Sequence, residues 1–224
     1  MNVDFFLKKR TAFVRRFYDA AVKGFRETQR LIEAGDAPYE PPYYGEDSDG
    51  EPPFLEEWSE AETSIEVIGR TAISMLSESL KVYFIQWDEL LGIQCGKRLK
   101  AEFKKGYWHG YRECFAKACG IDWSQCPADA EFIEQIALAR NTSQHGGRIT
   151  SMSADHPKDL RKKFRNPIFV PGHEKNADED EIRALTWLGS KLVVSREALF
   201  EAIRQVEVLV DWLEPQLQKV RWGH

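Results

Sequence analysis

Asp129-Ala130-Glu131-Phe132-Ile133-Glu134-Gln135-Ile136-Ala137-Leu138-Ala139-Arg140-Asn141-Thr142-Ser143-Gln144-His145 is the stretch on which both fold class and chemistry turn. At about 100° per residue, Phe132, Ile133, Ile136 and Ala139 share one face, as in an amphipathic helix laid against a core. Asp129, two residues after Pro127, is a good capping residue, and Glu131 sits in the first turn where a negative charge is favoured. Gly146-Gly147 supplies the stop, so the spacing predicts a helix that ends at His145. Arg140 projects within the apolar face, one turn beyond Ile136. A guanidinium withdrawn from water costs several kcal/mol unless an anion or another chain's polar groups meet it, so a buried partner, a subunit interface or a bound phosphate is required there.

The neighbouring segments repeat the helical period. Phe6, Phe13, Phe17, Ala20, Ala21, Phe25, Leu31 and Ile32 predict a first helix over 3–34, closed by Gly35. A second runs from about Glu56 to Leu91, with Ile65, Val67, Ile68, Ile73, Leu76, Leu80, Phe84 and Trp87 along it and Gly92 at its end. A third, basic helix is expected from about Lys97 to Ala118, its Tyr107, Trp108, His109 and Tyr111 read as packing rather than as base-stacking groups. The last is capped by Ser195, contains Ala198, Leu199, Ile203, Val206, Leu209, Val210 and Leu213, and is expected to be disrupted at Pro215.

Between them lie two irregular insertions, at about 36–55 and 148–189. The first holds Pro38, Pro41, Pro42, Pro52 and Pro53 with Gly45 and Gly50, which excludes a helix or a central strand. Asp47-Ser48-Asp49-Gly50 lacks the later ligands of a calcium loop and reads as exposed acidic loop. In the second, Ile168-Phe169-Val170 and Leu192-Val193-Val194 could pair as a short ribbon. The expected architecture is all-α: one domain over 1–224, a bundle of about five long helices with a short β-ribbon insertion.

Composition narrows the function classes. The 224 residues carry 42% hydrophobic and 30% charged side chains, enough for a sizeable core, and no window approaches the roughly 18 apolar residues of a membrane span. The start, Met1-Asn2-Val3-Asp4-Phe5 followed by Lys8-Lys9-Arg10, lacks the order of a secretory signal, so a cytoplasmic location and no membrane association are expected. Cys95, Cys114, Cys119 and Cys126 form no C-x-x-C pair and read as reduced core thiols; their spacing with His109 disfavours zinc. A net charge of -5 argues against indiscriminate coating of nucleic acid. Charge is unevenly placed, however. Ten acids and no base lie between Asp36 and Glu62, whereas Lys97, Arg98, Lys100, Lys104, Lys105, Arg112 and Lys117 crowd one segment, and Lys158 to Arg165 is a second basic cluster. Either a selective polyanion site or a solvated helix face accounts for this.

Other motifs fail. Gly92-Ile93-Gln94-Cys95-Gly96-Lys97-Arg98 is one residue short of a phosphate loop and lacks its Ser or Thr, and neither G-x-S-x-G nor H-E-x-x-H occurs. What remains is Arg140-Asn141-Thr142-Ser143-Gln144-His145. His145 lies about 7.5 Å of rise and about 140° beyond Arg140, so the two do not face each other on one straight helix. Asn141, four residues before His145, can orient the ring, while Arg140 must curl round or come from a second copy of the helix. At the helix C-terminus the dipole favours the charged imidazole.

This hexapeptide resembles the signature of the HEPN superfamily, small helical bundles in which Arg, a following Asn, Asp or His, and a His four to six residues after the Arg form a ribonuclease site. The motif match covers six residues closely, and the helical layout about 150 more loosely. The resemblance implies a homodimer with the motif at its interface, RNA as substrate, no cofactor and no metal, and a toxin, antiviral or RNA-processing role, with an antitoxin or regulatory protein as a further partner. It implies His145 as general acid or base, Arg140 as the charge stabiliser at the scissile phosphate, and Asn141 as the group that holds the site in shape. An attacking 2'-hydroxyl supplies its own nucleophile, so proton transfer and charge neutralisation suffice. Gly147 departs from one toxin subgroup, which carries Tyr two residues after the His. The rival reading is a non-catalytic helical interaction module using the same helix as a dimer interface.

Overall fold

The computed structural model describes residues 2–41, 52–143, 152–157, 160–175 and 190–223. Helix α1 (Val3–Ala34) begins where Asn2 Oδ1 accepts from the Phe5 amide at 3.1 Å and ends where Gly35, at φ +66°, turns the chain back with its N–H on the Ile32 carbonyl. Val3, Leu7, Val14, Tyr18 and Val22 form its buried face. Helix α2 (Leu55–Leu91) is the centre of the bundle: every other long helix packs on it, and Ile73, Leu76, Leu80, Phe84 and Trp87 are fully buried along it.

The expected continuous third helix is broken. Two single turns, α3 (Cys95–Arg98) and α4 (Lys100–Phe103), precede α5 (Tyr107–Cys119). Leu99 leaves helical geometry at φ -125°, ψ 44°, and Gly106 stands at φ +120°, a conformation that glycine alone adopts freely. The chain therefore folds back so that α3 and α4 lie against α5. Gly110 makes room for this: a Cβ there would come within 2.6 Å of the Phe103 ring. The same folding joins Cys95 to Cys114 in a disulfide with the Cα atoms 5.7 Å apart, so the expectation of reduced thiols fails for this pair. Their separation of 19 residues gave no hint, because only the hairpin-like return brings them together. Cys119 and Cys126 remain free and half-buried; burial pushes the Cys119 thiol up to about 11 and raises Cys126 too.

Helix α6 (Ala130–Ser143) starts on Asp129, whose Oδ1 accepts from the amides of Glu131 and Phe132. Its expected last two residues, Gln144 and His145, lie outside the described residues. Short turns α7 (Leu160–Lys163) and α8 (Gly172–Lys175) flank a small satellite cluster in which Leu160, Phe164 and Val170 pack against Leu138 of α6. The expected ribbon is largely absent. Only Val193 N bonds the Phe169 carbonyl (3.2 Å), while the single bridge among the described residues pairs Asp155 with Lys191, with Leu192 N on Ala154 O at 2.7 Å and His156 N on Ser190 O at 2.8 Å. Gly69 on α2 lets this returning segment lie directly on the helix, since a Cβ there would sit 2.7 Å from the Val194 carbonyl oxygen.

Helix α9 (Arg196–Trp222), capped by Ser195, crosses Pro215 without ending. Pro215 is on the exposed side, where water can reach the carbonyl that loses its donor, and the buried Leu213 and Leu217 hold the turns on either side. The all-α fold follows from the amphipathic spacing, and no strand occurs among the described residues. No helix among them is long and apolar enough to cross a membrane.

Candidate functional site

Arg140 lies in the last turn of α6, where that helix packs on α2. Its requirement for an anion is met within the chain: Nη2 donates to Glu78 Oε2 of α2 at 3.3 Å. The pair is not sealed. The Arg140 side chain keeps 25% of its surface exposed and Glu78 keeps 41%. Nη1 donates to Asn141 Oδ1 at 3.2 Å, so two of five guanidinium donors are engaged with described residues and the fork retains capacity for a second anion. Asn141 itself is exposed, and its carbonyl oxygen is turned to Arg140.

Hydroxyl groups surround the pair. Ser74 Oγ and Ser143 Oγ are 2.6 Å apart, and each also lies 2.8 Å from a backbone carbonyl, of Arg70 and Arg140 respectively. Having one proton apiece, the two hydroxyls share them between these acceptors and each other, which ties the end of α6 to α2. From α5, the Tyr107 hydroxyl lies 3.0 Å from Ser77 Oγ and 3.2 Å from the Ser77 carbonyl. Burial pushes its phenol well above the usual range, the Ser77 hydrogen bond opposes this, and Glu78 and Arg140 act on it with opposite signs. Tyr107 is thus a neutral donor, and the N-terminal end of α5 belongs to the Arg140 neighbourhood.

Glu78 also faces the other way, into a groove of about 690 Å³ between α1 and α2. Phe6, Phe13 and Val82 line it with 55%, 50% and 38% of their surfaces exposed, and Arg10 crosses it to donate to Ser79 Oγ at 3.0 Å.

The structure therefore brings Arg140 and Asn141 together, and His145 lies outside the described residues. Glu78, Ser74 and Ser77 were not singled out from the sequence, and Tyr107 was read only as packing. The signal of the first three was a set of polar side chains interrupting the apolar period of α2; which of them meets α6 depends on packing. No cluster of His, Cys, Asp and Glu among the described residues has the arrangement of a metal site. No protein-family profile, characterised protein sequence or solved structure matches the chain.

Proposed function

We propose that this chain is a metal-independent endoribonuclease of the HEPN type, acting on RNA as a homodimer in a toxin or antiviral role. The observation that carries the reading is the Arg140–Asn141 pair at the end of the described helix, with the guanidinium partly open and only two of its donors engaged among the described residues. In this reading Arg140 neutralises charge gathering on the scissile phosphate, His145 moves the proton of the 2'-hydroxyl or of the leaving oxygen, and Asn141 fixes the guanidinium plane. An arriving phosphate shares Arg140 with Glu78 or displaces it, so Glu78 limits ground-state affinity. The exposed Phe6, Phe13 and Val82 beside Glu78 supply an apolar surface on which a second copy can seat.

The test is RNA cleavage in EDTA by the wild type, Arg140→Ala and His145→Ala. Loss of one charge stabiliser or proton carrier costs on the order of 10²–10³ in rate; equal cleavage by all three proteins removes the assignment. One observation favours the rival interaction module: Arg140 already has its anion in Glu78. If that pair is purely structural, Arg140→Ala lowers the melting temperature, wild type cuts no RNA, and His145→Ala changes neither property. A cytoplasmic location accompanies the ribonuclease role. The Cys95–Cys114 bond speaks against it, since disulfides persist chiefly in oxidising compartments. Thiol alkylation of protein taken directly from cells, followed by mass spectrometry, distinguishes the two.

A further inference from the structure

We propose that the turn formed by α3 and α4 is a phosphate-binding surface that delivers single-stranded RNA to Arg140, a proposal that deepens the ribonuclease reading and rests on it for the identity of the polyanion. Lys97, Arg98, Lys100, Lys104 and Lys105 fall within nine residues, all exposed, with Glu102 the sole acid among them. Glu102 is occupied by Lys105 at 2.8 Å and His109 at 2.7 Å. Lys97, Arg98, Lys100 and Lys104 form no ion pair with any described residue.

An unpaired array of this density repels itself and is retained at a cost, unlike the solvated face of a long helix on which acids alternate with bases. It is also held still. The Cys95–Cys114 bond ties α3 to α5, the Phe103 ring seats over Gly110, and Leu99 and Phe103 pack against the main core. A rigid cationic surface is what phosphate binding needs, since little side-chain or loop freedom is then lost on contact.

Its place in the fold points to the same ligand. The turn ends at Gly106, and the next residue is Tyr107, whose hydroxyl rests on Ser77, the neighbour of Glu78. Glu78 holds Arg140. The α4 end of the basic turn thus adjoins, through Tyr107, the stretch of α2 that holds Arg140, and the first turn of α5, which has no side-chain cap, adds the positive end of its dipole there.

The probe is a fluorescein-labelled, non-cleavable 2'-O-methyl RNA of about twenty nucleotides, titrated by anisotropy at several salt concentrations. In the full chain, Lys97→Glu, Arg98→Glu, Lys100→Glu and Lys104→Glu are combined. A control of equal net charge carries Lys23→Glu, Lys175→Glu, Lys191→Glu and Lys219→Glu, all exposed positions elsewhere. The turn variant is expected to lose at least about tenfold in affinity and to lower the slope of log affinity against log salt by about three. The control loses far less, and both melt like the wild type; a glutamine version of the turn variant replaces it if the reversals unfold the chain. Equal binding by turn variant and wild type, or an equal loss in the control, overturns the proposal. So does polyglutamate of matched charge binding the wild type more tightly than the RNA, since the turn then serves an acidic polypeptide. Cleavage in EDTA is read separately: RNA bound by the turn but never cut sinks the nuclease and spares the surface, whereas RNA cut normally by the turn variant does the reverse.

Discussion

The two basic clusters, Lys97 to Lys117 and Lys158 to Arg165, read alike in sequence, and the bases described at 97–105 are used differently from Arg161 and Lys163. In the second, Arg161 sits 18% exposed with Nη2 on Glu174 Oε2 at 3.3 Å and on the Glu174 carbonyl at 3.0 Å, while Lys163 reaches Glu134 of α6 at 2.6 Å. Glu174, 6% exposed, also accepts from the Ser190 hydroxyl, so its charge is consumed in tying the described parts of the second insertion to one another, while Lys163 anchors them to α6. At 97–105 four bases pair with no acid among the described residues, and a covalent bond does the pinning. Charge that holds a fold together is thus told from charge kept for a partner by counting the carboxylates that come to it, not the lysines.

Removing the acid is the strongest way to break that contrast. Glu174→Ala strands Arg161, whose Nε is already buried without a hydrogen-bond partner among the described residues, and uncompensated buried charge costs about 3–5 kcal/mol. Amide exchange over residues 152–175 should rise sharply while α1 and α9 stay protected; uniform protection would mean the ion pair holds nothing. The disulfide comes next. Reduction, or Cys95→Ser with Cys114→Ser, frees a closed loop of 19 residues' separation and should lower stability by about 3 kcal/mol in a denaturant titration. An unchanged midpoint would assign the rigidity of the turn to Phe103 and Gly110 alone.

The smallest expected effect sharpens the account of the second insertion. His156 is buried, with Nε2 on the Phe169 carbonyl at 2.8 Å and Nδ1 without a partner among the described residues. Burial lowers its pKa below the usual 6.5, with the Phe169 carbonyl, Glu174 and Asp155 opposing. The folded ring binds a proton less readily than the unfolded one, so its packing is complete above that pH and weakens as pH falls through it. The protection of the Leu192 and His156 amides relative to their intrinsic exchange should fall between pH 7.5 and 5, and His156→Gln should flatten that dependence.

Amphipathic spacing made α1, α2, α6 and α9 readable residue by residue, because each buries one stripe and its signals are local. The break in the third helix was less visible: Gly106 needed a positive φ, yet the Leu99 deviation has no residue-type signature. Pro215 misled for the opposite reason, since a proline ends a helix only when the orphaned carbonyl cannot reach solvent. At the site, the anion demanded by Arg140 was foreseeable, but its identity as Glu78 was not. A carboxylate 62 positions earlier on another helix is chosen by the crossing of α2 and α6, which no short-range pattern encodes.

The seat of the Phe103 ring over Gly110 has a mechanical corollary. Because the ring fills the space that a methyl group would claim, the height of the lysine-rich turn above α5 is set by one absent carbon. A wedge of that size would tilt the electrostatic field of this face without altering any charge in the chain.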